Sequence, residues 1–120
     1  MQRGVNINDS DVPFTDLILA GAKTVETRGS RSLDSVIGKR VGIVRTGCGP
    51  AILVGYATVG QPHRYRSQAA FRADYSRHRV PSGSQYDAVA GERWGYPLTD
   101  VTPTEYRLVK SRGIVLRSID

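Results

Sequence analysis

At 120 residues and 13.1 kDa the chain has room for one compact domain, residues 1–120, and none for a large multidomain enzyme. Cys48 is the only cysteine, which excludes an intrachain disulfide framework and a multi-thiolate zinc site. Seventeen Lys and Arg against 11 Asp and Glu give a net charge of +6 and a pI of about 9.9, a balance that favours polyanionic partners.

Val5 and Ile7 alternate with polar neighbours and predict a first strand. The Asp9, Ser10, Asp11 cluster then offers capping oxygens to a helix. Pro13 suits its first turn, Phe14, Leu17 and Ile18 share a face, and Gly21 can end it in a left-handed conformation. Thr24 to Arg28 alternates β-branched with charged residues and predicts a strand. Arg31 to Lys39 reads as loop. Val41 to Thr46 and Ile52 to Val59 predict a hairpin across the Gly47 to Pro50 turn, and Gly55 suggests a bulge or a close backbone approach. Ser67 is placed to cap a second helix through about Ser76, with Phe71 and Tyr75 on one side. Residues 86 to 95 give no clear signal. Leu98 to Val101, Tyr106 to Val109 and Ile114 to Ile119 predict strands, with Pro103 and Gly113 as breaks. Many short strands with few helices favour an α+β fold built on a small curved sheet or barrel.

The densest chemistry lies at the junction of the first helix and the second strand, Gly21-Ala22-Lys23-Thr24-Val25-Glu26-Thr27-Arg28. A strand period of two puts Thr24, Glu26 and Arg28 on one face, with Lys23 at its entrance. Read from the residues alone, this pattern fits either an exposed Glu26–Arg28 ion pair or a functional polar face.

A helix ending Leu19-Ala20-Gly21, running into Gly-x-Lys-x-x-Glu-x-Arg, resembles the signature of ASCH domains, small β-barrels of the PUA-like superfamily. The likeness extends loosely to Gly38 to Gly42, to the Val54 to Val59 strand, and to Leu98, Asp100, Val101 and Gly113. It implies an α+β fold, a PUA-like β-barrel of about five to seven strands flanked by two helices. It also implies that RNA or a modified nucleotide binds in a cleft between barrel and first helix. Lys23 and Arg28 match the motif's cations and Glu26 its acid, so the cations are expected on phosphate and Glu26 on an exocyclic amine of a base. Some bacterial ASCH proteins hydrolyse N4-acetylcytidine with a lysine, a threonine and a glutamate. Lys23 matches that lysine, but Glu26 stands where the threonine belongs, and Thr24, the adjacent hydroxyl, points to the other side of a strand from its neighbours. Ribonuclease activity is attributed to other relatives. The catalytic candidates are therefore Lys23, Thr24 and Glu26, as the alternative to a binding role.

A second cationic stretch, Arg64 to Arg79, interleaves Arg64, Arg66 and Arg72 with Tyr65, Phe71 and Tyr75, a composition suited to single-stranded nucleic acid or to a helix packed on the barrel with a solvated face. Trp94, the only tryptophan, is placed either to stack on a base or to fill the core. His63, His78 and Cys48 are too irregularly spaced for a metal site, and no cofactor is implied. Met1 to Ser10 lacks the apolar stretch of a secretory signal and no run approaches a membrane span, so a cytoplasmic monomer is expected. A protein-interaction module is the remaining class, and exposed apolar area beside the barrel would mark it.

Overall fold

A computed structural model describes residues 2–88 and 92–120. Seven strands, β1 (Arg3–Asn8), β2 (Val25–Arg28), β3 (Arg40–Thr46), β4 (Ile52–Val59), β5 (His63–Tyr65), β6 (Arg93–Leu108) and β7 (Leu116–Ser118), form one curled sheet in the order β2-β6-β4-β3-β1-β7, with β5 also on β6. Among the described residues three short α-helices accompany it, α1 (Phe14–Leu19), α2 (Gln68–Ala73) and α3 (Tyr75–His78), with a 3-10 turn at Asp34–Val36. The architecture is the expected α+β, barrel-like fold, with the sheet curled into a half-barrel. All pairs are antiparallel except β1 with β3, whose register sets Gly4 beside Gly42 and Asn8 beside Thr46.

The predicted hairpin is β3–β4, and its ladder skips Val54 between Ile43↔Gly55 and Val44↔Leu53. A Cβ on Gly55 would stand 2.6 Å from the Thr102 carbonyl oxygen and 2.7 Å from Leu19 Cδ2, so the glycine admits both β6 and the end of α1. The main departure from the sequence expectation is β6. Leu98 to Val101 and Tyr106 to Val109 are predicted as separate strands, yet one strand of 16 residues runs through both. Pro103 does not break it, because its partner is Gly55, between two register shifts of the β4–β6 ladder where the missing N–H is tolerated. Asp100, at φ +50°, lies in the second of those irregularities.

α1 holds the whole predicted apolar face, Phe14, Leu17 and Ile18. Pro13 is its N-cap residue, and the cap oxygens come from Asp9, which accepts from Thr15 N at 3.1 Å and from Thr15 Oγ1 at 2.5 Å. Phe14 and Ile18 are buried, and Gly21 at φ +77° turns the chain toward β2. Ser67 caps α2 by accepting from Ala70 N at 3.0 Å. The second helix is interrupted at Asp74, so the expected single helix is α2 followed by α3. Of the ambiguous stretch 86–95, residues 89–91 lie outside the described residues.

The main core lies between the curled sheet and the helices, with Val5, Ile7, Phe14, Ile18, Leu33, Val59, Phe71 and Tyr96 among its buried members. A smaller cluster of Val44, Leu53, Val109 and Ile119 packs the opposite side. Among the described residues no helix is long and apolar enough to cross a membrane.

Candidate functional site

Local folding at the α1–β2 junction buries a lysine. Ala22 N and Lys23 N both donate to the Leu17 carbonyl, closing the helix, and Thr24 N then donates to the Arg77 carbonyl at 2.8 Å. This stitches the start of β2 to the end of α3. Lys23 is carried inward to 1% exposure, where Nζ donates to the His78 carbonyl at 2.6 Å and lies 4.8 Å from the centre of the Phe14 ring. That carbonyl belongs to the last turn of a helix, where no intrahelical N–H reaches it.

His78 holds the acceptor in place. Its Nδ1 accepts from Val80 N at 2.9 Å, so the neutral ring carries its proton on Nε2 and donates to the Phe71 carbonyl at 2.6 Å. The imidazole stacks on Phe71 with centroids 4.0 Å apart, and burial lowers its pKa. This residue is structural.

Glu26 bridges the two cations of the motif. Oε1 is 3.5 Å from Lys23 Nζ, and Oε2 accepts from Arg28 Nη2 at 2.9 Å. Arg28 Nη2 also donates to the Asn6 carbonyl at 2.7 Å, while its Nε is buried without a partner among the described residues. Burial pushes the Lys23 pKa below its ordinary value, and the Glu26 carboxylate opposes that shift.

The cluster lines a cleft of about 270 Å³ between α1, β1 and β2. Asn6, Asn8, Thr27 and Thr46 add polar groups, Phe14, Val80 and Tyr86 add apolar surface, and Arg93 and Ile114 complete the lining. The Phe14 and Tyr86 rings meet edge to face at 6.1 Å. Burial raises the Tyr86 pKa, with the Glu26 charge adding to it. The C-terminal part of the cleft is held by Asn6, whose Nδ2 donates to the Gly113 and Ile114 carbonyls at 2.8 and 3.0 Å. Ile114 at this rim is 95% exposed.

Lys23, Glu26 and Arg28 are thus brought together in one cleft. Thr24 is not among its lining residues. It precedes β2 and is exposed, so the strand alternation that grouped it with Glu26 and Arg28 begins one residue too early. Arg64, Arg66 and Arg72 also lie outside the cleft. Arg64 pairs with Glu92, Arg72 Nη2 is 2.7 Å from Asp87 Oδ2, and Arg66 is exposed. Of the aromatic residues interleaved with them, Tyr65 and Phe71 are core residues and Tyr75 is exposed. Trp94 is half-buried on β6, opposite Arg28 in the β2 ladder. Among the described residues no cluster of His, Cys, Asp and Glu could hold a metal. Asn6, Tyr86, Arg93 and Ile114 were not singled out by the sequence.

Fold and cleft together define a small α+β half-barrel with a buried cation–carboxylate–cation cluster beside its first helix. The chain has the ASCH fold. It superposes on the crystal structure of ASCH from Zymomonas mobilis with a TM-score of 0.67 at 20% identity, over 88% of this chain and 71% of the other. A serine-to-alanine variant of the Zymomonas mobilis protein gives 0.71 at 16% identity over 89% and 73%, and a tyrosine-to-phenylalanine variant 0.68 at 20% over 89% and 75%. No protein-family model matches the sequence, and no curated protein matches it significantly.

Proposed function

We propose that this chain binds RNA, or a modified nucleotide, with one nucleotide unit seated in the Lys23–Glu26–Arg28 cleft. The observation that carries this reading is a buried charge cluster lining the cleft, in which one guanidinium N–H has no partner among the described residues. At about 270 Å³ the cleft is just below the ~300 Å³ at which small-molecule pockets begin, which suits a single nucleotide rather than a folded RNA element. Its chemistry is complementary to one. Arg28 and Arg93 supply donors for phosphate or a base oxygen, Glu26 accepts from an exocyclic amine, and Tyr86 offers an aromatic surface.

Calorimetric titration of the four ribonucleoside 5′-monophosphates and their deoxy counterparts tests it, with Arg93→Ala compared in parallel because that residue is not buried. Binding of at least one ribonucleotide, weakened about tenfold or more in Arg93→Ala, is expected for a lost charge-assisted contact. Absence of binding to all eight would refute the reading.

A second reading makes the same cleft hydrolytic, acting on a modified nucleoside such as N4-acetylcytidine or on RNA. The depressed pKa of Lys23 favours it, since a lowered pKa leaves more of the amine unprotonated and so available to accept a proton. Release of acetate from N4-acetylcytidine, or cleavage of RNA, would establish turnover, and substrates intact after prolonged incubation would leave the binding role alone.

A further inference from the structure

Trp94 stands at the centre of a cationic row that starts in the cleft. In the β2–β6 ladder it is opposite Arg28, and in the β5–β6 ladder it is opposite Arg64, so the three side chains share one face of three adjacent strands. Strands about 4.8 Å apart make this row about 10 Å long. The Arg64 guanidinium lies 5.9 Å from the centre of the indole, and Arg31, reached from Gly29 at the cleft edge, lies 5.2 Å from it. Each flanking guanidinium is steered by a carboxylate, Arg31 by Asp34 at 2.8 Å and Arg64 by Glu92. A guanidinium has five N–H donors, so one carboxylate partner leaves several for phosphate. Arg93, next to Trp94 in the chain, lines the cleft itself.

We propose that this row is a second subsite, where the nucleotide next to the one in the cleft stacks on Trp94 and its phosphate meets Arg31 and Arg64. The ligand of the protein is then single-stranded RNA of at least two nucleotides rather than a free nucleoside. The base takes the place of one guanidinium over the indole, and the displaced arginine turns to the phosphate. This inference rests on the reading of the cleft as the nucleotide site and extends it along the strand.

Because Trp94 is the only tryptophan, its emission reports the subsite directly. The probes are hexameric homopolymer RNAs and the matching 5′-monophosphates, titrated against wild type, Trp94→Leu and Arg64→Ala. Arg64→Ala changes an exposed side chain and keeps the test independent of whether Trp94→Leu folds. Expected are quenching by a hexamer but not by its monophosphate, and hexamer affinity falling about tenfold or more in Trp94→Leu. Arg64→Ala should lower the salt dependence of hexamer binding while leaving monophosphate affinity unchanged. Monophosphate binding with no hexamer advantage and no quenching would overturn the subsite and leave the cleft standing. Hexamer quenching that survives Arg28→Ala and Arg93→Ala together would instead keep the Trp94 surface and remove its link to the cleft. No binding of either probe would overturn both.

Discussion

Replacing Glu26 by Gln removes the carboxylate that lies between buried Lys23 and half-buried Arg28, and the consequence is specific enough to measure. Lys23 is 1% exposed, and the Glu26 and Arg28 side chains are 11% and 16% exposed, so water screens little of the interaction. Breaking a buried pair costs ~3–5 kcal/mol, and the partial exposure of Arg28 points to about 3 kcal/mol near neutral pH. The loss should depend on pH, with a sign fixed by Lys23. Its folded-state pKa is already lowered from 10.5 by burial, with Glu26 acting against the shift. Between the folded and unfolded values the unfolded chain binds more protons, so stability rises with pH through that window. Gln at position 26 lowers the folded value further and extends the window downward. Each additional unit corresponds to ~1.36 kcal/mol. The deficit of Glu26→Gln is therefore largest below both folded values, shrinks as pH rises from the variant's folded value to that of wild type, and is constant above it. Urea unfolding of both proteins at steps from about pH 6 to 10 reads it, and titrations common to both cancel in the difference. A deficit under about 1 kcal/mol that does not change with pH would show an ordinary surface pair and refute the argument.

Ile114→Ala should leave stability within about 0.5 kcal/mol, since the side chain is 95% exposed, while weakening any ligand that fills the cleft at its rim. Thermal unfolding and nucleotide titration of the same preparation check both halves. Gly55→Ala should destabilise by ~1–3 kcal/mol, because its Cβ would meet the Thr102 carbonyl oxygen at 2.6 Å, and a variant as stable as wild type would contradict that contact. Asp87 is held down to about 2 by its hydrogen bond from Arg72 and a further one from Gly83 N. Its contribution is present above the unfolded value of about 3.9 and is lost as pH falls through about 2, so Asp87→Asn should flatten the acid limb of the stability curve. Carboxyl chemical shifts showing Asp87 protonated at about pH 4 would contradict this.

How much of this was legible in the sequence varies with the range of the interaction. The β3–β4 hairpin, the Ser67 cap and the turn at Gly21 are local, and residue pattern sufficed. β5 was missed because three residues, His-Arg-Tyr, carry no period, and they are a strand only because the first half of β6 offers an edge. The breaks assigned around Pro103 failed for a related reason, since the extra residues that β6 itself carries on either side of the proline, set by its pairing with distant β4, accommodate it. In the cleft, the spacing of Lys23, Glu26 and Arg28 gave the charges but not the burial of Lys23. That burial depends on the carbonyl of His78, 55 residues away. Tyr86, Arg93 and Ile114 reach the cleft by long-range folding alone and leave no local pattern.

The most direct test of the central claim is amide chemical-shift mapping on isotopically labelled protein titrated with a short single-stranded RNA. The account predicts the largest changes at Asn6, at Lys23 to Gly29 and at Tyr86, continuing to Trp94. Changes confined to the exposed arginines of α2 and α3, with Lys23 to Gly29 unmoved, would contradict it.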